Sequence, residues 1–203
     1  LIPTINITQS AYKYMEETRF TNAAAEPSEG GTYGEAALEL TEKTVPVEKV
    51  AVWIPVTDEQ LEDVAGAAAY IDSRLRFMLR QGFDYQILNG NGTTPNLQGI
   101  LDVDGIGEET QQEDDLMPDA ILRAITAVRV AGRAMPNAVV VHPTDWQSIR
   151  MLKTTEDQYI WGHPALPGPD TIWGLRVVLS DAFVASGTAL VGDFANFSLA
   201  GIR

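Results

Sequence analysis

The side chains able to catalyse a reaction are few and fall mostly in the second half of the chain. His142-Pro143-Thr144-Asp145-Trp146 follows the apolar run Ala138 to Val141, so His142 and Asp145 lie beside a strand end, where catalytic groups often sit. With Ser148 as nucleophile within hydrogen-bond reach they would make a hydrolase. No nucleophile-elbow pattern is present, and Ser148 falls on the helix that follows. Pro143 in a first helical turn, Asp145 near its positive end and His142 in the preceding loop account for the same residues without catalysis. His142, His163 and Asp170 lack the spaced pairs of a zinc site. The carboxylates Glu108, Glu109, Glu113, Asp114 and Asp115 do not follow EF-hand spacing and read as a solvated loop. Gly90-Asn91-Gly92 lacks the Lys-Ser/Thr of a P-loop and the strand-to-helix context of a dinucleotide fingerprint. Trp53, Trp146, Trp161 and Trp173 read as core or interface anchors rather than a base-stacking platform. The sequence therefore predicts no enzyme, no metal and no cofactor.

Composition narrows the remaining classes. The chain has 203 residues, room for one large domain or two small ones. Its 28 acidic against 14 basic residues give a formal charge of −14, which argues against a nucleic-acid-binding surface, since phosphate contacts need clustered Lys and Arg. There is no cysteine, hence no disulfide or thiolate chemistry. No apolar run approaches the length of a membrane span. The chain begins at Leu1 rather than Met and is expected to be a segment of something longer.

The stretch from Pro55 to Leu101 organises the rest. Thr57 with Gln60 forms a capping box, and apolar residues recur at Leu61, Val64, Ala65, Ala68, Ile71, Leu75, Met78, Leu79 and Phe83 at helical steps. Continued to Leu88, this predicts a helix of roughly 45 Å, closed by the turn Asn89-Gly90-Asn91-Gly92. Upstream, Ser10 caps an expected short helix from Ala11 to about Arg19. Thr21 to Tyr33 reads as a mobile loop. Two strand-like runs, Ala36 to Thr41 and Val47 to Ile54, form an expected hairpin joined by Glu42 to Pro46. A lone two-stranded ribbon is marginal in water, so this hairpin needs a surface to lie on. Downstream, Met117-Pro118-Asp119 opens a helix carrying Ile121, Ala124, Ile125, Val128 and Ala131 on one face and ended by Gly132. Ala138 to Val141 reads as a buried strand, His142 to Lys153 as a helix, and Leu175 to Leu179, Thr188 to Val191 and Phe197 to Ile202 as strands. Helices mixed with short strands from Leu116 to Arg203 predict one α+β domain.

Several of these segments carry a resemblance. Tyr70-Ile71-Asp72-Ser73-Arg74-Leu75, then Leu88-Asn89-Gly90-Asn91-Gly92-Thr93, then Asn96-Leu97-Gln98-Gly99-Ile100 resemble the major capsid proteins of tailed double-stranded DNA phages of the Hong Kong 97 type. Pro143-Thr144-Asp145-Trp146, Leu152-Lys153, Tyr159-Ile160-Trp161-Gly162, Trp173-Gly174-Leu175 with Val177-Val178, and Val191-Gly192-Asp193-Phe194 follow the same family's order. The likeness runs over nearly the whole chain and is weakest in the N-terminal arm.

The resemblance implies an α+β Hong Kong 97-like capsid fold with C-terminal return strands absent from this sequence. Its parts would be an N-terminal arm (1–34), an extended β-hairpin "E-loop" (35–54), a peripheral domain with a long "spine" helix (55–115) and an axial domain (116–203). It implies a structural subunit of a phage or prophage head that self-assembles, as pentamers and hexamers, into an icosahedral virion shell. That shell would enclose double-stranded DNA without binding it specifically and would be assembled in the bacterial cytoplasm with scaffold, protease and portal proteins, away from membranes. An encapsulin-like compartment holding cargo is the alternative. The residues singled out for inter-subunit contact are Glu42, Lys43, Val45, Pro46, Val50, Val52, Trp53 and Ile54; those for the spine helix and turn are Leu61, Ile71, Leu75, Asn89, Gly90, Asn91 and Gly92. Some family members crosslink an E-loop lysine to a neighbour's asparagine with glutamate assistance. Here Glu42 stands at the lysine position, adjacent Lys43 would point to the opposite strand face, and the asparagine and glutamate belong to a segment past Arg203. No crosslinking is expected.

Overall fold

The computed structural model describes residues 2–26, 30–58, 66–113, 115–161, 170–181 and 186–203. Its strands and helices in chain order are β1 (Thr4–Asn6), β2 (Ala11–Thr21), β3 (Ala37–Pro46), α1 (Ala67–Asn89), a 3-10 turn (Ile100–Asp102), α2 (Met117–Val130), β4 (Ala138–Val141), α3 (Pro143–Arg150), β5 (Thr171–Ile172), β6 (Leu175–Leu179), β7 (Ala189–Gly192) and β8 (Ala200–Ile202). They fall into two compact units: Leu1–Pro3 with Glu48–Leu199, and Thr4–Val47 with Ala200–Arg203.

In the larger unit, β4 organises the core. The sheet order is β5-β6-β4-β7, with β4 parallel to β6 and antiparallel to β7. All four residues of β4 are buried, as an apolar run without alternation predicts for a strand covered on both faces. Side chains still alternate across the sheet. Val139 and Val141 join Ile121 and Ile125 of α2, Trp146 and Ile149 of α3, and Ile172, Leu175 and Val177. Ala138 and Val140 join Leu88 at the end of α1, Leu190 and Phe194. The helices begin where their caps dictate. The Leu116 amide donates to the Asp119 carboxylate at 3.3 Å, and the His142 ring accepts from the Thr144 amide at 3.3 Å. Arg123 on α2 holds the preceding acidic loop, 2.5 Å from Asp115 and 3.7 Å from Glu109.

In the smaller unit, β2 and β3 form a long antiparallel ribbon, and β1 pairs in parallel with β8. Here the structure departs from the sequence-based expectation. Ala11 to Arg19 is a strand, not a helix: Tyr, Thr and Phe favour strands, and the ten-pair ladder with β3 satisfies the backbone groups that a short isolated helix would hold only marginally. The ribbon's first strand is thus β2, and the expected second strand, Val47 to Ile54, carries no strand assignment. Strand β3 ends at Pro46, and the Val47 amide still donates across the ribbon to the Ser10 carbonyl at 3.0 Å. The expected helix from Thr57 is also shorter. Gly66, with φ of 88°, stands in the left-handed region and α1 starts after it; its 23 residues span about 35 Å. Gln60 and Leu61 lie outside the described residues. Two later elements are slightly shorter than expected: α3 ends at Arg150 rather than Lys153, and the last strand starts at Ala200 rather than Phe197.

Replacing Ile149, which is 1% exposed in the main core cluster, with alanine is expected to lower unfolding free energy by about 2–5 kcal/mol. Urea denaturation followed by tryptophan fluorescence measures it.

Candidate functional site

The catalytic candidates are occupied by structural work. His142 Nδ1 lies 2.6 Å from the Thr144 hydroxyl and caps α3. The Asp145 carboxylate accepts from the Gly187 amide at 2.7 Å, pinning the loop before β7. Ser148 donates to the Thr144 carbonyl at 3.0 Å. No two of the three side chains share a hydrogen bond among those described, so they do not assemble a relay. His163 lies outside the described residues. Asp170 accepts from the Trp146 indole at 3.2 Å and faces Arg150 at 3.7 Å. The tryptophans divide. Trp146 is buried in the core. Trp161 and Trp173 meet edge-to-face at 6.1 Å, the Trp173 indole donating to the Pro118 carbonyl at 2.9 Å. Trp53 is 80% exposed.

Two constructions remain, one in each unit. The first is the β2–β3 ribbon, registered from Ala11 opposite Pro46 to Thr21 opposite Ala37. Lys13 pairs with Glu42 at 2.6 Å, Lys43 with Glu16 at 3.3 Å and Arg19 with Glu39 at 3.3 Å. These pairs are exposed and individually worth little, but every one crosses the ribbon, so they favour this register over a slipped one. Of the residues singled out for contact, Glu42, Lys43, Val45 and Pro46 lie on β3 and are exposed. Val50, Val52, Trp53 and Ile54 are exposed too, but they follow the ribbon rather than forming it. Lys49, Val50 and Ala51 instead line an open groove of ≈590 Å³ with Met78, Gly82 and Tyr85 of α1.

The second construction is the turn at the end of α1. Gly90 closes the helix by donating to the Gln86 carbonyl at 3.0 Å. The chain then doubles back: the Gly92 amide donates to the Leu97 carbonyl at 3.0 Å, and the Gly99 amide to the Gly90 carbonyl at 2.8 Å. Asn91 Oδ1 accepts from the Asn96 amide group at 2.9 Å and the Thr93 backbone at 3.2 Å. Gln86 Oε1 accepts from the Leu97 amide at 3.2 Å. A Cβ at Gly90 would stand 2.6 Å from the Gln86 carbonyl oxygen and closer still to that of Leu97, so only glycine lets the two backbone segments approach. Ile71 and Leu75 on α1 are half-buried, as is Asn89, while Asn91 and Gly92 are exposed and Gly90 is buried. On the exposed part of α1, Arg76 pairs with Asp72 at 2.9 Å; that hydrogen bond and the carboxylate's charge hold the guanidinium above its ordinary pKa. Sequence reasoning placed this turn but missed its lock, Gln86 and Gly99; the Asn96-to-Ile100 segment was the available signal.

The sequence that builds this ribbon, helix and glycine-locked return matches a known family. The model described as "Phage capsid family" matches residues 1–200. The chain belongs to the phage capsid family. This phage capsid chain is 32% identical over 186 residues to the major capsid protein of Enterobacteria phage HK97, covering 91% of its own length and 48% of that protein. It thus spans about half the length of that curated relative. Among solved structures it resembles the capsid of a native GTA particle, with a TM-score of 0.74, 16% identity, and coverage of 96% of this chain and 72% of the other. It also resembles a chain of Microbacterium phage Oxtober96, with a TM-score of 0.69, 15% identity, and coverage of 100% and 71%. At such identities the structural likeness speaks for the fold alone: an α+β phage capsid fold of the Hong Kong 97 type. Family and relative both carry the capsid name, which favours the phage shell over the cargo-compartment alternative. Among the described residues no helix is long and apolar enough to cross a membrane.

The two helix-side glycines are expected to respond oppositely to alanine. Gly90→Ala forces backbone apart and should cost about 1–3 kcal/mol. Gly82→Ala, where an added Cβ meets nothing within 4 Å, should stabilise α1 by about 0.5–1 kcal/mol. Thermal unfolding of the two variants beside the parent measures both.

Proposed function

We propose that this chain is the shell-forming portion of a major capsid protein of a phage or prophage head, a structural subunit without catalytic activity. Membership of the capsid family over residues 1–200 carries the reading. The architecture supports a division of labour. Residues 11–46 act as the E-loop, shifted N-terminally from the 35–54 expected from sequence because β2 supplies its first strand. Residues 67–115 form the peripheral part around the spine helix, and residues 116–199 the axial part around β4. The ribbon laps a neighbouring subunit, with Glu42, Lys43, Val45 and Pro46 in the overlap, and Val50, Val52, Trp53 and Ile54 add further inter-subunit contacts. Ile71 and Leu75, with Asn89 to Gly92, keep the strut and its end rigid. Copies assemble as pentamers and hexamers into an icosahedral shell in the bacterial cytoplasm, with scaffold, protease and portal proteins. The shell holds double-stranded DNA without specific contacts, consistent with the net charge of −14.

The subunits are not covalently joined through the ribbon. Glu42 is tied to Lys13 at 2.6 Å and Lys43 to Glu16 at 3.3 Å, each lysine already paired within its own ribbon. Expression of the complete gene is expected to yield closed particles by negative-stain microscopy, and a denaturing gel of those particles a single monomer band. A particle-free soluble monomer would overturn the shell assignment, and a ladder of covalent multimers the absence of crosslinks.

A further inference from the structure

The larger unit separates its charges along the chain. No Lys or Arg lies between Arg80 and Arg123, and no Asp or Glu between Asp119 and Asp145. Each block leaves an exposed surface on which its charge stands beside apolar side chains. In the first, Ile100 packs against the cluster of Leu88, Val140 and Phe194, and the chain leaves it through the 3-10 turn. Leu101, Val103 and Ile106 are then 37–46% exposed, interleaved with Asp102, Asp104 and Glu108. Asp104 and Glu108 have no ion pair among the described residues. In the second block, the Ala134 amide donates to the Val128 carbonyl at 3.4 Å and closes α2. Val130 and Met135 at this corner are 73–74% exposed. Arg129 and Arg133 beside them are exposed and have no carboxylate partner among the described residues. Arg133 holds a φ of 48°, a left-handed backbone that glycine would adopt without strain. The fold thus accepts strain at the position that presents this guanidinium.

We infer that the Leu101–Glu108 strip of one copy docks on the Arg129–Met135 corner of the next. The inference rests on the shell-subunit reading, which supplies the neighbouring copies; charge decides which surfaces meet. Strip on strip would set carboxylates against carboxylates, and corner on corner guanidiniums against guanidiniums. Strip on corner pairs opposite charges and covers apolar side chains on both partners. The two patches differ, so the contact is head-to-tail. Each copy offers its strip to one neighbour and its corner to the other, an arrangement that closes into a ring. Both patches belong to the larger unit. They are separate from the β2–β3 ribbon, whose ladder shifts register at a bulge on Thr18 and resumes with Arg19 opposite Glu39 and Phe20 opposite Leu38. The apolar contact supplies the area, and Asp104 and Glu108 against Arg129 and Arg133 set the direction round the ring.

The test uses protein from the complete gene, read as the fraction assembled by sedimentation and electron microscopy, with circular-dichroism melting as the check on folding. The substituted side chains are all exposed, so each variant is expected to melt within a few degrees of the parent. Val103→Ser with Ile106→Ser, and separately Val130→Ser with Met135→Ser, are expected to cut assembly roughly ten-fold or more, as loss of central apolar anchors does. Asp104→Lys with Glu108→Lys should impair assembly, and so should Arg129→Glu with Arg133→Asp, aspartate tolerating the left-handed position. All four charge substitutions on one chain should restore closed particles. The two charge-reversed chains, mixed, should restore six-membered rings but not five-membered ones, because complementary copies must alternate and alternation closes only around an even number. Arg133→Gly should relieve the backbone yet still lower assembly, which a purely structural role would not do. The inference is overturned if the folded apolar variants assemble normally, or if the four charge substitutions on one chain fail to restore assembly. It is equally overturned if the mixture restores no rings, which would place the contact within a single copy, or restores five-membered rings as well as six-membered ones. A parent that never assembles would sink the shell reading, and this contact with it.

Discussion

A strand ladder whose side chains are largely exposed must be held by its backbone hydrogen bonds and by pairs that cross it, and this constraint shapes the β2–β3 ribbon. The β2–β3 pairing spans ten register positions, well beyond a typical strand. Its large apolar side chains remain half or more exposed from Met15 to Leu40. Burial therefore contributes little to choosing the register. The crossing ion pairs and the Thr18 bulge choose it instead, since a slip by one residue would break all three pairs together.

The larger unit solves the opposite problem. Strand β4 is buried on both faces, so its backbone is paired on both sides and its side chains feed two clusters. Asp193, a buried carboxylate of this unit, is satisfied locally. Asp193 accepts from Asn137 at 3.0 Å and from Asn196 at 2.6 Å, and the Phe194 amide donates to Asn137 at 3.3 Å. A buried carboxylate without such donors would carry a large desolvation cost. His142, Asp145 and Ser148 likewise act as caps and pins: each makes a hydrogen bond to a backbone group, the Thr144 amide, the Gly187 amide and the Thr144 carbonyl respectively.

Between these extremes stands α1. Only Leu88 at its end is buried among its described residues, while aromatic and aliphatic side chains appear around its circumference. A helix apolar on more than one side and exposed on most of them is built for surfaces beyond a single compact unit. Its end is tied down where Gly90 and Gly99 bring two backbone segments together and the Gln86 and Asn91 side chains hydrogen-bond Leu97 and Asn96.

The sequence alone determined the elements whose side chains report their own burial. The β4 run, the amphipathic face of α2 with Ile121 and Ile125, the proline-led start of α3 and the glycine turn after Leu88 were all legible, because periodicity and turn chemistry act over a few residues. The motif order from Tyr70 to Phe194 also pointed to the capsid family. Tertiary structure alone decided the conformation of Ala11 to Thr21, whose tyrosines, Met15 and Glu16 fit a helical spacing as well as a strand. A partner strand sixteen residues downstream of Thr21 settles it, and no local pattern records that partner. The bulge, the face on which Phe20 emerges and the left-handed Gly66 that shortens α1 are likewise set by hydrogen-bond register and backbone geometry, which depend on what lies opposite rather than on what lies adjacent.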